Sequence, residues 1–195
     1  MARPSVEPAR RRDLMNAAIK AIHQRGSLDV TMSEIAGFAG VSPALAHHYF
    51  GGKDQLIVAT MRHLLIELRK VVSSRLRAAN SPRERLSAIV VASFGPEQIE
   101  RETVSAWLTF YHYAQSSRPA ARLLKVYFSR LHSNLAAELG KLTDTDRARD
   151  MAHMIAALID GLYLRQGLRE HSPPRQQAIK LVETFIDAQL ARPAD

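Results

Sequence analysis

The chain has 195 residues, 46% hydrophobic and 24% charged, with 27 basic residues against 19 acidic ones and a formal net charge of +8. These proportions exclude a disordered chain, leave room for one or two packed domains, and favour an anionic partner: DNA, RNA or an anionic membrane surface. Cysteine is absent, which excludes disulfides, thiolate metal sites and a cysteine nucleophile and suits a reducing compartment.

No apolar run approaches the roughly 18–20 residues that span a bilayer. Residues Met1 to Arg12 are basic but lack a following apolar core, so they make a poor secretion signal. The expected location is the cytoplasm, with no membrane partner.

Helical spacing dominates the chain. Leu14, Ala17, Ala18, Ala21 and Ile22 share one stripe, and Gly26 is placed to end the helix they define. Thr31 with Glu34 three residues later reads as a capping box for a short second helix, which turns Ile35, Ala36 and Ala39 inward until Gly40 breaks it. Ser42 is a natural N-cap and Pro43 a natural first residue for a third helix running to about Tyr49, with Gly51 and Gly52 at its end. Lys53 opens a long helix whose residues Ile57, Met61, Leu64, Leu65, Leu68, Val72 and Leu76 keep one face over roughly five turns at about 3.6 residues each.

Asn80-Ser81-Pro82 restarts the chain as a helix with Leu86, Ile89 and Val90, and Gly95-Pro96 marks a break. An aromatic-rich segment follows from Thr103 to Ala114. Ser117-Arg118-Pro119 then separates it from a helix around Leu123 to Leu139. After Gly140, the stretch from Arg147 to Leu168 is periodic through Met151, Met154, Ile155, Leu158, Ile159 and Leu162. His171 to Pro174 reads as a turn before a last helix from Gln176 to Leu190. The expected fold is all-α. It divides into three helices over residues 1–53 and a larger helical part over residues 54–195.

The first three helices meet the physical requirements of a helix-turn-helix. Ala36 is small enough for the third helix to cross close to the second, Gly40 can take the positive φ of a sharp turn, and Val41 can plug the space beneath it. The pattern Thr31-x-x-x-Ile35-Ala36-x-x-Ala39-Gly40-Val41-Ser42, followed by Tyr49-Phe50-x-x-Lys53-x-x-Leu56, resembles the DNA-binding signature of the TetR family nearly in full. Further stretches are similar to the choline-responsive repressors of glycine betaine synthesis within that family. They are Arg10 to Arg12, Ala44 to Phe50, Ala106 to Tyr111, Ser133 to Leu135 and Ala157 to Arg165. The resemblance implies a transcriptional repressor, not an enzyme, that binds a double-stranded DNA operator as a homodimer through its last two helices. It also implies a small-molecule effector, choline. No cofactor and no metal are expected.

Phosphate contacts should supply most of the affinity. Lys53 lies at a helix start whose free N–H groups already favour an anion, and the tyrosine equivalent to Tyr49 donates to phosphate in the family. Arg10, Arg11 and Arg12 either clamp the backbone or form a solvated terminus. Between Ser42 and Gly52 there is no Arg, Lys, Asn or Gln, the usual bidentate base readers. Reach toward the bases falls to Ser42, His47, His48 and Tyr49, with Ala44 small enough to touch a thymine methyl. Thr31 and Pro43 complete the DNA-facing set, and specificity should lean on DNA shape.

For the effector, Trp107, Phe110, Tyr111, Tyr127 and Tyr163 are candidate aromatic walls of a cation cage, although an aromatic stripe is more often core. Asp160 sits in an otherwise apolar helix and needs a partner, either Arg165 or a bound cation. The residues leave open a repressor of an efflux or lipid pathway that senses another hydrophobic or cationic ligand. Neither a phosphate-binding glycine loop, nor a His-Glu-x-x-His pair, nor a nucleophile elbow supports an enzyme.

Overall fold

The computed structural model describes residues 6–168 and 173–192. Among them every regular element is a helix: α1 (Val6–Arg25), α2 (Met32–Phe38), α3 (Pro43–Phe50), α4 (Lys53–Ala78), α5 (Pro82–Ser93), α6 (Pro96–Ile99), α7 (Arg101–Tyr113), α8 (Arg118–Leu139), α9 (Thr145–Leu168) and α10 (Arg175–Leu190). The all-α expectation holds. The turn expected at His171 to Pro174 and the start of the basic N-terminus lie partly outside the described residues.

Three details differ from the sequence reading. The first helix begins well before its apolar stripe, because the arginine run that precedes the stripe is itself helical. Gly95-Pro96 opens the one-turn helix α6, with Gly95 at the cap and Pro96 at the first position, where a missing N–H leaves no orphan. Ser117-Arg118-Pro119 starts α8 instead of separating two elements, and the Ser117 hydroxyl accepts from the Ala120 amide.

Two compact units emerge, one made of the chain up to Leu64 with Arg101–Leu123, the other of Leu65–Glu100 with the chain from Leu124 onward. In the first, α1 packs against α2 and α7, and α2 against α3. Leu14, Ile22, Ile35, Leu56, Met61 and Phe110 are fully buried there, each contributing roughly 1.5–3 kcal/mol over exposure. Both expected caps are present. Thr31 Oγ1 accepts from the Glu34 amide at 3.1 Å while Glu34 Oε2 accepts from the Thr31 amide at 2.6 Å, and Ser42 Oγ accepts from the Leu45 amide at 3.2 Å. The bonds from the Thr31 amide and hydroxyl hold the Glu34 carboxyl below its ordinary pKa. Gly40 has φ 65°, and Val41 N–H donates to the Ala36 carbonyl at 3.0 Å, which closes the turn over a residue with no exposed surface.

In the second unit α10 packs against α9 and α5 around Leu86, Phe94, Leu135, Ile155 and Val182. Arginines staple its helices. Arg83 pairs with Glu183 and Asp187, joining α5 to α10. Arg85 reaches both the Glu138 carboxylate and the Leu76 carbonyl at 2.7 Å, tying α8 to the last turn of α4. Helix α4 contributes its first half to one unit and its second half to the other. None of the helices described is long and apolar enough to cross a membrane.

Candidate nucleic-acid interface and effector site

The reading helix α3 buries only Ala46 and Phe50. Opposite them Ser42, Pro43, Ala44, His47 and His48 are exposed, and Tyr49 is half-buried. Burial of two apolar residues four apart thus turns one stripe inward and leaves the N-terminal face open. Both cap hydroxyls, Thr31 and Ser42, accept from backbone amides; the Thr31 hydroxyl also bonds the Glu34 carboxyl, whereas the Ser42 hydroxyl retains its proton for an outside acceptor such as phosphate. His47 Nδ1 lies 3.1 Å from the Gly51 carbonyl, at the end of α3 where Gly51 turns the chain with φ 79°. Because a carbonyl only accepts, Nδ1 is the donor in that bond. His48 stacks obliquely on Tyr49, ring centroids 5.6 Å apart.

The cations divide by role. Arg11 is a structural clamp: its guanidinium donates to the Tyr49 carbonyl and lies 4.3 Å above the Phe50 ring, joining α1 to α3. Arg10 is exposed and loosely paired with Asp13 at 3.8 Å, and Arg12 is exposed. Lys53 donates one N–H to the Leu28 carbonyl at 3.0 Å and is half-buried. Its other two N–H groups remain for a phosphate. The sequence reading placed Arg11 and Lys53 among the contacts but missed their bonds to Tyr49 and Leu28. Those partners lie 38 and 25 residues away, beyond the range of helical periodicity.

The six effector candidates fall in two groups. Trp107, Phe110 and Tyr111 sit on α7 in the first unit, where Trp107 and Phe110 are buried edge-to-face with centroids 6.0 Å apart. This is the packing of a core, and Tyr111, tilted against Trp107, is the more open ring. Tyr127, Asp160 and Tyr163 belong to the second unit. There the Tyr163 hydroxyl donates to the Gln98 carbonyl at 2.8 Å, and the Tyr127 hydroxyl donates to Asp160 Oδ1 at 3.1 Å.

Asp160 therefore has its partner, and it is Tyr127, whereas Arg165 is exposed. Burial raises the Asp160 pKa to about 6, and the Tyr127 bond offsets only part of that rise. A half-buried acid held by a neutral hydroxyl is well matched to a cation that brings no hydrogen-bond donor of its own.

The same unit holds a cavity of about 320 Å³, lined by the second half of α4, by α5 and by α8. Leu65, Leu68, Val72 and Leu76, which periodicity assigns to the core, are half-buried and form its wall. Arg69 and Arg130 also line it and went unnoticed in the sequence. Their only signal was a long basic side chain beside an apolar stripe, which most often marks a solvated rim.

Residues 82–191 match the family of BetI-type transcriptional repressor C-terminal domains, and residues 14–60 match the tetR family of bacterial regulatory proteins. The chain is 53% identical to the HTH-type transcriptional regulator BetI of Brucella melitensis biotype 1 over 98% of its own length and 96% of the relative. It is 47% identical to BetI of Rhizobium meliloti over 100% of its own length and 96% of that protein. A transcriptional regulator from Pseudomonas aeruginosa PAO1 shares the fold at a TM-score of 0.82 and 25% identity, covering 94% of this chain and 91% of that one. A regulator from Saccharomonospora viridis solved in complex with choline does so at 0.80 and 23%, covering 91% and 95%. A capped, outward-facing reading helix on an all-helical scaffold, together with near-full-length identity of about half, leads to one assignment. The chain belongs to the TetR family of bacterial transcriptional regulators and is a repressor of its BetI-type branch.

Proposed function

We propose that two copies of this repressor bind a palindromic operator, that choline releases them, and that the regulated genes convert choline to glycine betaine. In this reading residues 1–53 read DNA and residues 54–195 hold the effector and the dimer contact. The observation that carries it is Asp160, a carboxylate inside the second unit that accepts from the neutral Tyr127 hydroxyl. A quaternary ammonium would complete its charge, with aromatic faces each contributing roughly 0.5–2 kcal/mol. The names of the curated relatives and the choline complex of the Saccharomonospora regulator support the same choice of effector.

Dimerisation through α9 and α10 is supported by the apolar side chains they leave exposed, Met154, Leu164, Leu168 and Leu181. A single reading helix also contacts too few bases, while a two-fold pair reads half-sites about 34–36 Å apart. Thr31, Ser42, Tyr49, His48 and Lys53 position the head on phosphates, and Ala44 and His47 face the bases. Effector release works by linkage: choline prefers the form whose two heads are wrongly spaced, α4 carries the change, and DNA must weaken choline binding by the same factor.

Fluorescence-anisotropy titration of the DNA upstream of the repressor's own gene tests this, run alone, with choline, and with 3,3-dimethylbutanol, which keeps choline's shape without its charge. Choline should weaken operator binding by about 5- to 150-fold, and the neutral isostere should do nothing. Equal effects of the two, or none from choline, would overturn the choice of effector.

A further inference from the structure

The cavity of about 320 Å³ in the second unit lies within the usual size of a small-molecule site. Its wall is apolar, formed by Leu68, Val72, Ile89 and Leu131. Its charged residues are Arg69 and Arg130, and no carboxylate lines it. Elsewhere in this unit Arg83 is neutralised by Glu183 and Asp187 and Arg85 by Glu138, while Arg147 and Arg175 donate to backbone carbonyls. Arg69 and Arg130 form no ion pair with a described carboxylate, and both are exposed at the cavity. Ser73, Tyr127 and Asn134 add hydroxyl and amide groups.

We infer that this cavity is a binding site for a small amphipathic monoanion, a medium-chain carboxylate, whose chain lies on the apolar wall and whose carboxylate is met by Arg69 and Arg130. Charge sign decides the class. A quaternary ammonium placed here would meet two guanidinium groups and no acid, whereas a carboxylate would gain charge-assisted hydrogen bonds from both. A neutral hydrocarbon would leave the guanidiniums without a role. This site is separate from the cation reading at Asp160 and would stand if that reading fell, because it depends on different residues. It is not isolated from it, though. The Tyr127 ring lines the cavity while its hydroxyl holds Asp160, so an anion that shifts Tyr127 would also alter the acid.

Isothermal titration of the full-length repressor, without DNA, with octanoate and with octyltrimethylammonium tests the inference. Octanoate should bind, and the cation of equal chain should bind at least about tenfold more weakly at this site, the factor that one charge-assisted contact commands. Arg69→Gln with Arg130→Gln should weaken octanoate about tenfold or more. Asn134→Trp, an exposed position that blocks the mouth and keeps both arginines, should abolish octanoate binding while leaving helicity and operator binding unchanged. Octanoate affinity unchanged by the double arginine change, octanoate binding that persists in Asn134→Trp, or a cation that binds as tightly as octanoate would overturn the proposal. Choline titration of the same variants separates it from the effector reading.

Discussion

Two carboxylates of the second unit, the buried Glu138 on α8 and the half-buried Asp160 on α9, have opposite electrostatics. Burial would raise Glu138, but hydrogen bonds from Lys141 at 2.6 Å and Arg85 at 2.7 Å more than offset it and hold the carboxyl below its ordinary range. Burial raises Asp160 to about 6, because a lone hydroxyl at 3.1 Å cannot compensate. One acid is a finished ion network whose work is to join α4, α5 and α8. The other is left short of positive charge. The contrast separates an acid neutralised within the fold from one that is not: both are withdrawn from solvent, and the difference lies in what neutralises them.

The largest expected effect comes from removing the uncompensated charge. Asp160→Asn should stabilise the protein at pH 7 by about 3 kcal/mol, the free energy of a rise from 3.8 to about 6 at 1.36 kcal/mol per unit. The sign follows from proton counts. A folded pKa above the unfolded one means the folded state binds more protons between pH 3.8 and 6, so wild-type stability from this group falls as pH rises through that window. The variant should lack that fall in urea titrations at pH 4 and pH 7. It should also bind choline more weakly and without the loss of affinity expected for wild type below pH 6.

Next, Glu138→Gln should destabilise by about 2 kcal/mol, since charge-assisted bonds are lost and Arg85 is left half-buried without its acid. Here the pH dependence reverses. A lowered carboxylate stabilises above its unfolded value of 4.5 and loses that contribution as pH falls through the folded value. A stability profile in which both variants shift the same way would break the comparison.

A smaller effect, about 1 kcal/mol, is expected for Tyr127→Phe at pH 7, together with a further rise of the Asp160 pKa measurable by carboxyl carbon NMR. The smallest is Arg11→Lys, which keeps the charge but loses the stack on Phe50, roughly 0.5–1 kcal/mol. Arg11→Gln, which removes the charge, should leave the salt dependence of operator binding as in wild type. A reduced slope would show that Arg11 neutralises a phosphate instead.

Local chemistry was legible in the sequence. Thr31 and Glu34 form both bonds of the capping box, Ser42 caps α3, and Gly40 takes the left-handed turn, because each of these depends on residues within about one turn. The partner of Asp160 was not legible. Arg165 looked near in sequence, yet five residues along a helix is roughly 140° around its axis, so its side chain points elsewhere, and the true partner comes from α8. Periodicity gave the inward face of α4 correctly but could not say that Leu68 and Val72 front a cavity instead of a filled core. Inwardness is a property of one helix, and filling is a property of its neighbours.

Helix α3 offers duplex DNA short side chains and two imidazoles in place of long bidentate forks. On the proposed reading, such a probe would sense contour more than lettering. Operators that differ in base content but bend alike should then be held alike, while replacing one flexible pyrimidine–purine step with a stiff one should expel the protein though no atom of that step is touched. Regulatory sites could drift in spelling across genomes and still be recognised, provided their mechanics are preserved.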